Sequence, residues 1–100
     1  MMTIVSKQEG DMIRLTVEGR IDSNTNIEFQ EKIEESFLQT KHVTIDMKDV
    51  TYISSAAIRS ILIGQKSASA KDGKFVIKNA SSNIKKLLDS VGLTKILTFR

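Results

Sequence analysis

Two adjacent serines, Ser54 and Ser55, stand where a β-branched stretch gives way to a helical pattern in Val50-Thr51-Tyr52-Ile53-Ser54-Ser55-Ala56-Ala57-Ile58-Arg59. Serine is favoured at a helix start because its hydroxyl accepts a hydrogen bond from a backbone N–H that has no partner inside the helix. The same place suits a phosphate. Unpaired N–H groups and the positive end of the helix dipole would receive it, and a phosphoryl group adds about −1.5 to −2 charge without unfolding its host. The pair can serve as a cap or as a modification site, and residue chemistry alone leaves both open.

Other chemistry is thinly supplied. His42 is the single histidine and there is no cysteine, which excludes thiolate chemistry, disulfides and the usual zinc ligand sets. Asp22, Asp46 and Asp49 fall on separate segments. Gly10, Gly19, Gly64, Gly73 and Gly92 are scattered and form no phosphate-binding loop. No metal or organic cofactor is expected, and the chain reads as a binding protein rather than an enzyme.

The elements that must position the serines follow from hydrophobic spacing. Thr3 to Lys7 is a weak strand candidate. Gln8-Glu9-Gly10-Asp11 is a hairpin turn, and Met12 to Gly19 alternates with Ile13, Leu15 and Val17 on one face. Phe29, Ile33 and Phe37, with Ile27 and Leu38 beside them, recur at helical spacing. Thr25 with Glu28 fits a capping box, and Ser23 or Asn24 are alternative caps. His42 to Met47 is the next strand. A helix from Ser55 to about Ala70 carries the apolar stripe Ile58, Ile61, Leu62 and Ala68, and ends at Asp72-Gly73. Lys74 to Lys78 is a short buried strand. Ser81 or Ser82 opens a helix bearing Ile84, Leu87, Leu88 and Val91, Gly92 stops it, and Ile96 to Phe99 forms a last strand. The order is ββαβαβαβ in one domain, residues 1–100. This is an α/β fold with a mixed, mostly parallel sheet of four to five strands, covered by one layer of helices.

The helix after the serines carries only Arg59 and Lys66 as charges. Ala56, Ser60, Ile63 and Ser67 line the side away from its expected stripe, a small-residue face against which another protein could pack closely. Charge is unevenly distributed: residues 1–50 hold six Lys/Arg against ten Asp/Glu, and residues 51–100 nine against two. The cations are dispersed and few aromatics accompany them, so nucleic-acid binding is not expected. No apolar run suits a signal peptide or a membrane helix, which points to the cytoplasm without direct membrane insertion.

Three segments in this order resemble the STAS domains typified by bacterial anti-sigma factor antagonists. Gly19-Arg20-Ile21-Asp22-Ser23-Asn24-Thr25 is similar to that family's G-R-[IL]-D-[ST] stretch. Ile45-Asp46-Met47-Lys48-Asp49-Val50 resembles its acidic strand end, and Tyr52-Ile53-Ser54-Ser55-Ala56-Ala57-Ile58-Arg59 its Y-[IM]-[DS]-S-[AST]-G-L segment. Gly73-Lys74 and Val91-Gly92-Leu93 also fit. The resemblance implies a module that sequesters an anti-sigma factor, often itself a serine-protein kinase, until phosphorylation releases it and a PP2C-type serine phosphatase resets it. Ser55 falls on the acceptor position, with Ser54 a second candidate. Asp22, Asn24, Ala56, Arg59, Ser60 and Ile63 are the expected partner surface. Ala57 replaces the motif glycine, and its methyl is expected to narrow the approach of a kinase. The same resemblance also allows a constitutive STAS subunit docked on a membrane transporter.

Overall fold

A computed structural model describes residues 1–100. Its elements are β1 (Met2–Glu9), β2 (Met12–Ile21), α1 (Asn26–Gln39), β3 (His42–Ile53), α2 (Ser55–Ala70), β4 (Lys74–Lys78) and α3 (Ser82–Ser90), followed by a 3₁₀ turn (Leu93–Lys95) and β5 (Thr98–Phe99). The five strands lie in sequence order across the sheet. β1 and β2 pair antiparallel through the two-residue turn Gly10-Asp11, and every later pair is parallel. Parallel neighbours need crossovers, and right-handed crossovers taken always in one direction deliver every helix to the same face. The expected order and the single helical layer are both found.

Alternation along the strands assigns the two faces. Ile13 pairs with Val43 and Val43 with Phe75; Leu15 pairs with Ile45 and Ile45 with Ile77. All six are buried under the helices, where Phe29 and Ile33 of α1, Ala57 and Ile61 of α2, and Ile84 and Leu88 of α3 meet them. The opposite face carries Arg14, Thr44 and Val76 in the intervening register, and no helix covers it. No helix is long and apolar enough to cross a membrane.

β3 runs six residues beyond the end that alternation suggests, because the alternation itself changes. Met47, Val50 and Ile53 are buried, each separated from the next by two exposed residues. The register shifts twice here, since Glu18 pairs with Asp49, Gly19 with Val50 and Arg20 with Tyr52. At each shift β3 spends one residue more than β2. These are β-bulges, which bend a strand and increase its twist. β5 is shorter than expected, because the amides of Ile96 and Leu97 still bond back to the Leu93 carbonyl at the end of the 3₁₀ turn.

The buried face of α2 is not the one its large apolar residues suggest. Ala57, Ser60, Ile61, Gly64 and Ala68 face inward, whereas Ile58 and Leu62 are half-buried at the side. Small residues let the helix axis approach the sheet. A Cβ on Gly64 would lie 2.7 Å from Cζ of Phe75 and 3.2 Å from Cγ2 of Ile33. Similar corrections apply to Ile27 and Leu38 of α1 and to Leu87 and Val91 at α3, all of which are exposed. Gly64→Val should therefore lower stability by about 2 kcal/mol, since overfilling a dense core displaces side chains from their rotamers. Urea unfolding would show a lower midpoint with an unchanged slope; a wild-type midpoint would contradict the close approach.

Candidate partner-binding site

The carboxyl ends of β2 and β3 lie side by side. Ile21 pairs with Ile53, and the amide of Ser54 donates to the Ile21 carbonyl at 2.9 Å. The Asp22 loop and the start of α2 therefore leave the sheet together, at the edge where open parallel sheets place their ligand sites. The loop that carries Asp22 and Asn24 and the start of α2 thus begin at adjacent strand ends.

The two serines divide the roles that sequence left shared. Ser54 is the N-cap: its backbone is extended and its Oγ accepts from the Ala57 amide at 3.2 Å. Ser55 is the first residue of α2 and is exposed, and its hydroxyl has no protein hydrogen-bond partner. One hydroxyl holds the helix end; its neighbour is free for chemistry. Arg59, one turn further along, is exposed on the same side as Ser55.

The Asp22 loop is built around its carboxylate. Oδ1 accepts from the amides of Asn24 at 2.9 Å and Thr25 at 3.0 Å. The Thr25 hydroxyl donates to the Arg20 carbonyl and accepts from the Asp22 amide, both at 2.9 Å. The expected capping box of Thr25 and Glu28 is absent, because Thr25 makes no side-chain cap bond and its hydroxyl is spent inside the loop. Donation by the Thr25 and Asn24 amides holds the Asp22 carboxyl below its usual value of 3.8. Arg20 lies 4.3 Å over the Tyr52 ring, joining the ends of β2 and β3 on the outside.

The small-residue stripe of α2 has a different neighbour from the expected one. Ser60 is fully buried, with its hydroxyl 2.7 Å from Oδ1 of Asn26 and 3.1 Å from Oε1 of Gln30, both on α1. Ala56, Ile63 and Ser67 share that flank of the helix and are half-buried. What packs closely along this side is the protein's own α1, so Ser60 is withdrawn from the partner surface. Ala57 is also fully buried, so its methyl points into the core and leaves the approach to Ser55 unchanged.

The other flank is open. Ser55, Ile58, Arg59, Leu62, Val91 and Leu93 line a shallow groove of about 280 Å³ between α2 and the end of α3. Ile58, Leu62, Val91 and Leu93 were not expected at the site, because apolar spacing had assigned the first three to the core. The available signal was Gly92, whose φ of +78° turns the chain after α3 and leaves Val91 at the surface.

The STAS domain profile matches residues 3–100, and the chain belongs to the STAS domain family. A STAS-domain containing protein of Pseudomonas aeruginosa is 21% identical over 87 residues, which is 87% of this chain and 86% of that one. An anti-sigma factor antagonist from Mycobacterium paratuberculosis superposes with a TM-score of 0.89 at 16% identity, over 99% of this chain and 85% of that one. The antagonist SpoIIAA superposes at 0.80 in its unphosphorylated form, at 13% identity over 98% of this chain and 87% of that one. Its phosphorylated form, from Bacillus, gives 0.79 at 13% identity, over 98% and 91%. Structural neighbours of this fold thus include anti-sigma factor antagonists in both phosphorylation states.

Two measurements test this geometry. Ser54→Ala should cost about 1 kcal/mol of unfolding free energy and Ser55→Ala less than about 0.5 kcal/mol, because only Ser54 caps α2. Equal losses would contradict that assignment. The Asp22 carboxyl should titrate below 3.8 by carbon NMR. Its folded value is depressed, so its stabilising contribution is present above the unfolded value and is lost as pH falls through the lower folded one. A midpoint at or above 3.8 would mean that the loop does not hold its carboxylate as described.

Proposed function

We propose that this STAS domain is a phosphorylation-switched binding module, an anti-sigma factor antagonist whose partner is an anti-sigma factor with serine-kinase activity. The observation that carries the reading is the free, exposed Ser55 hydroxyl at the first turn of α2, next to a serine that already caps the helix. Unphosphorylated, the domain holds its partner over Ser55, Arg59 and the apolar groove of Ile58, Leu62, Val91 and Leu93. Asp22 and Asn24 form the far rim, and Ala56 and Ile63 border the contact on the α1 side.

Phosphorylation acts through charge and place. A phosphate on Ser55 meets the unpaired amides of the first turn and comes within one helical turn of the Arg59 guanidinium. It draws Arg59 away from a partner and puts two negative charges against a surface fitted to a hydroxyl. Losing a few such contacts costs several kcal/mol, and each 1.4 kcal/mol is about tenfold in affinity. The kinase supplies nucleotide, metal and base, so this chain contributes only the acceptor, and a PP2C-type phosphatase removes the group. Such a cycle runs in the cytoplasm.

Capture from lysate with wild-type, Ser55→Ala and Ser55→Glu baits tests the switch. Wild type and Ser55→Ala should hold a kinase-type protein that Ser55→Glu releases, and incubation with ATP should label wild type but not Ser55→Ala. Equal retention by all three baits, without labelling, would sink the switch and favour constitutive docking, as in a transporter subunit.

A further inference from the structure

The uncovered face of the sheet holds a second groove, remote from Ser55. It has two adjoining lobes of about 280 and 190 Å³, floored by Met12, Thr44 and Val76. Val76 is only 7% exposed although no helix covers it. Lys74, Lys78 and Arg100 line the groove and form no ion pair. Of the nearby acids, Glu9 lies 3.3 Å from Arg14, and Asp11, which lines the larger lobe, is exposed and lies 4.0 Å from His42. Asp46 accepts from the Lys48 amide and the Asn79 side chain. Arg14 Nε is buried without an acceptor, a donor that a native surface rarely leaves unmatched.

The complementary surface lies on the opposite side of the same molecule. α1 packs its buried residues toward β2 and β3 and turns outward the stripe Ile27, Glu31, Glu34 and Leu38, flanked by Glu28 and Glu35. Ile27 and Leu38 are 65% and 84% exposed, and none of these four carboxylates has an ion pair. The dimensions agree. Glu28 to Glu35 spans about 10 Å along a helix, and Lys74 to Lys78 about 13 Å along a strand. An acidic helix face bearing two exposed apolar residues thus complements in charge a groove floored by Met12, Thr44 and Val76 and edged by cations. The two surfaces are on opposite faces of one sheet, so they cannot meet within one chain.

We infer that the bare sheet face docks the outer face of α1 from a second copy of this chain. The contact joins two different patches, so it is head-to-tail and repeats from copy to copy rather than closing as a two-fold dimer. It does not depend on the Ser55 reading, and Ser55, Arg59 and the α2 groove lie outside both surfaces.

Sedimentation velocity over a concentration series tests it, with circular dichroism confirming that each variant is folded. At about 0.05 M salt the wild-type mass should rise with concentration above 11.2 kDa, and at about 0.5 M it should return to that value. Lys74→Glu with Arg100→Glu, or Glu31→Lys with Glu34→Lys, should each require at least about tenfold higher concentration to associate, because like charges then face each other. Mixing the two double variants should restore association, and so should all four substitutions in one chain. A wild type that stays at 11.2 kDa in low salt overturns the inference. So does association indifferent to salt, or a mixture no more associated than its components.

Discussion

Handedness governs most of this molecule. A right-twisted strand feeding a right-handed helix returns to the sheet on one side only. Because β2, β3, β4 and β5 are laid down in order without reversal, the chain never reaches the second face. The consequences run outward from there. One face acquires Phe29, Ile33, Ile61 and Leu88 as cover and becomes the core. The other must be made compatible with water by its own side chains, which explains why Arg14, Lys74 and Lys78 occupy register positions that a doubly covered sheet would give to apolar residues. The carboxyl ends of the parallel strands all open on one edge, and the loops after β2 and β3 share it.

On that edge two neighbouring residues of the same type differ in what they give the scaffold. A helix end needs one acceptor for its free amides, and Ser54 provides it. Ser55 then owes nothing to the structure. The Asp22 loop repeats the division: one oxygen of its carboxylate is held by two backbone amides of the loop, while Asn24 is left at the surface. A site organised in this way can change charge without asking the scaffold to respond.

How much of this was legible in the residues depended on which rule each element obeyed. β2 keeps strict alternation and β4 is a short apolar run bounded by lysines, so both read directly. The end of β3 does not read as a strand, because alternation gives way to a spacing of three at Met47, Val50 and Ile53, a helical rather than a strand interval. α2 was found but misoriented. Apolar size was taken as the mark of burial, whereas close approach to Phe75 selects Gly64, Ala57 and Ala68 and pushes Ile58 and Leu62 aside. The neighbourhood of Asp22 and Ser55 was legible through the family resemblance. The assignment of cap and free hydroxyl was not, since either serine satisfies the cap rule and only backbone geometry separates them.

The two bulges of β3 have a bearing beyond its curvature. Met47 and Lys48 stand opposite the single Val17, and Thr51 is the extra residue between Val50 and Tyr52; Lys48 and Thr51 are exposed, while Met47, Val50 and Ile53 stay buried. Strand length and side-chain phase are thereby uncoupled. Each bulge adds one residue to β3 alone, taken up as bend and twist, because the two strands still end paired at Ile21 and Ile53. Extra residues are absorbed in this way without turning the core residues outward, as a one-residue slip in an ordinary strand would do. β3 thus reaches the start of α2 as a bent strand whose inward residues keep to the core.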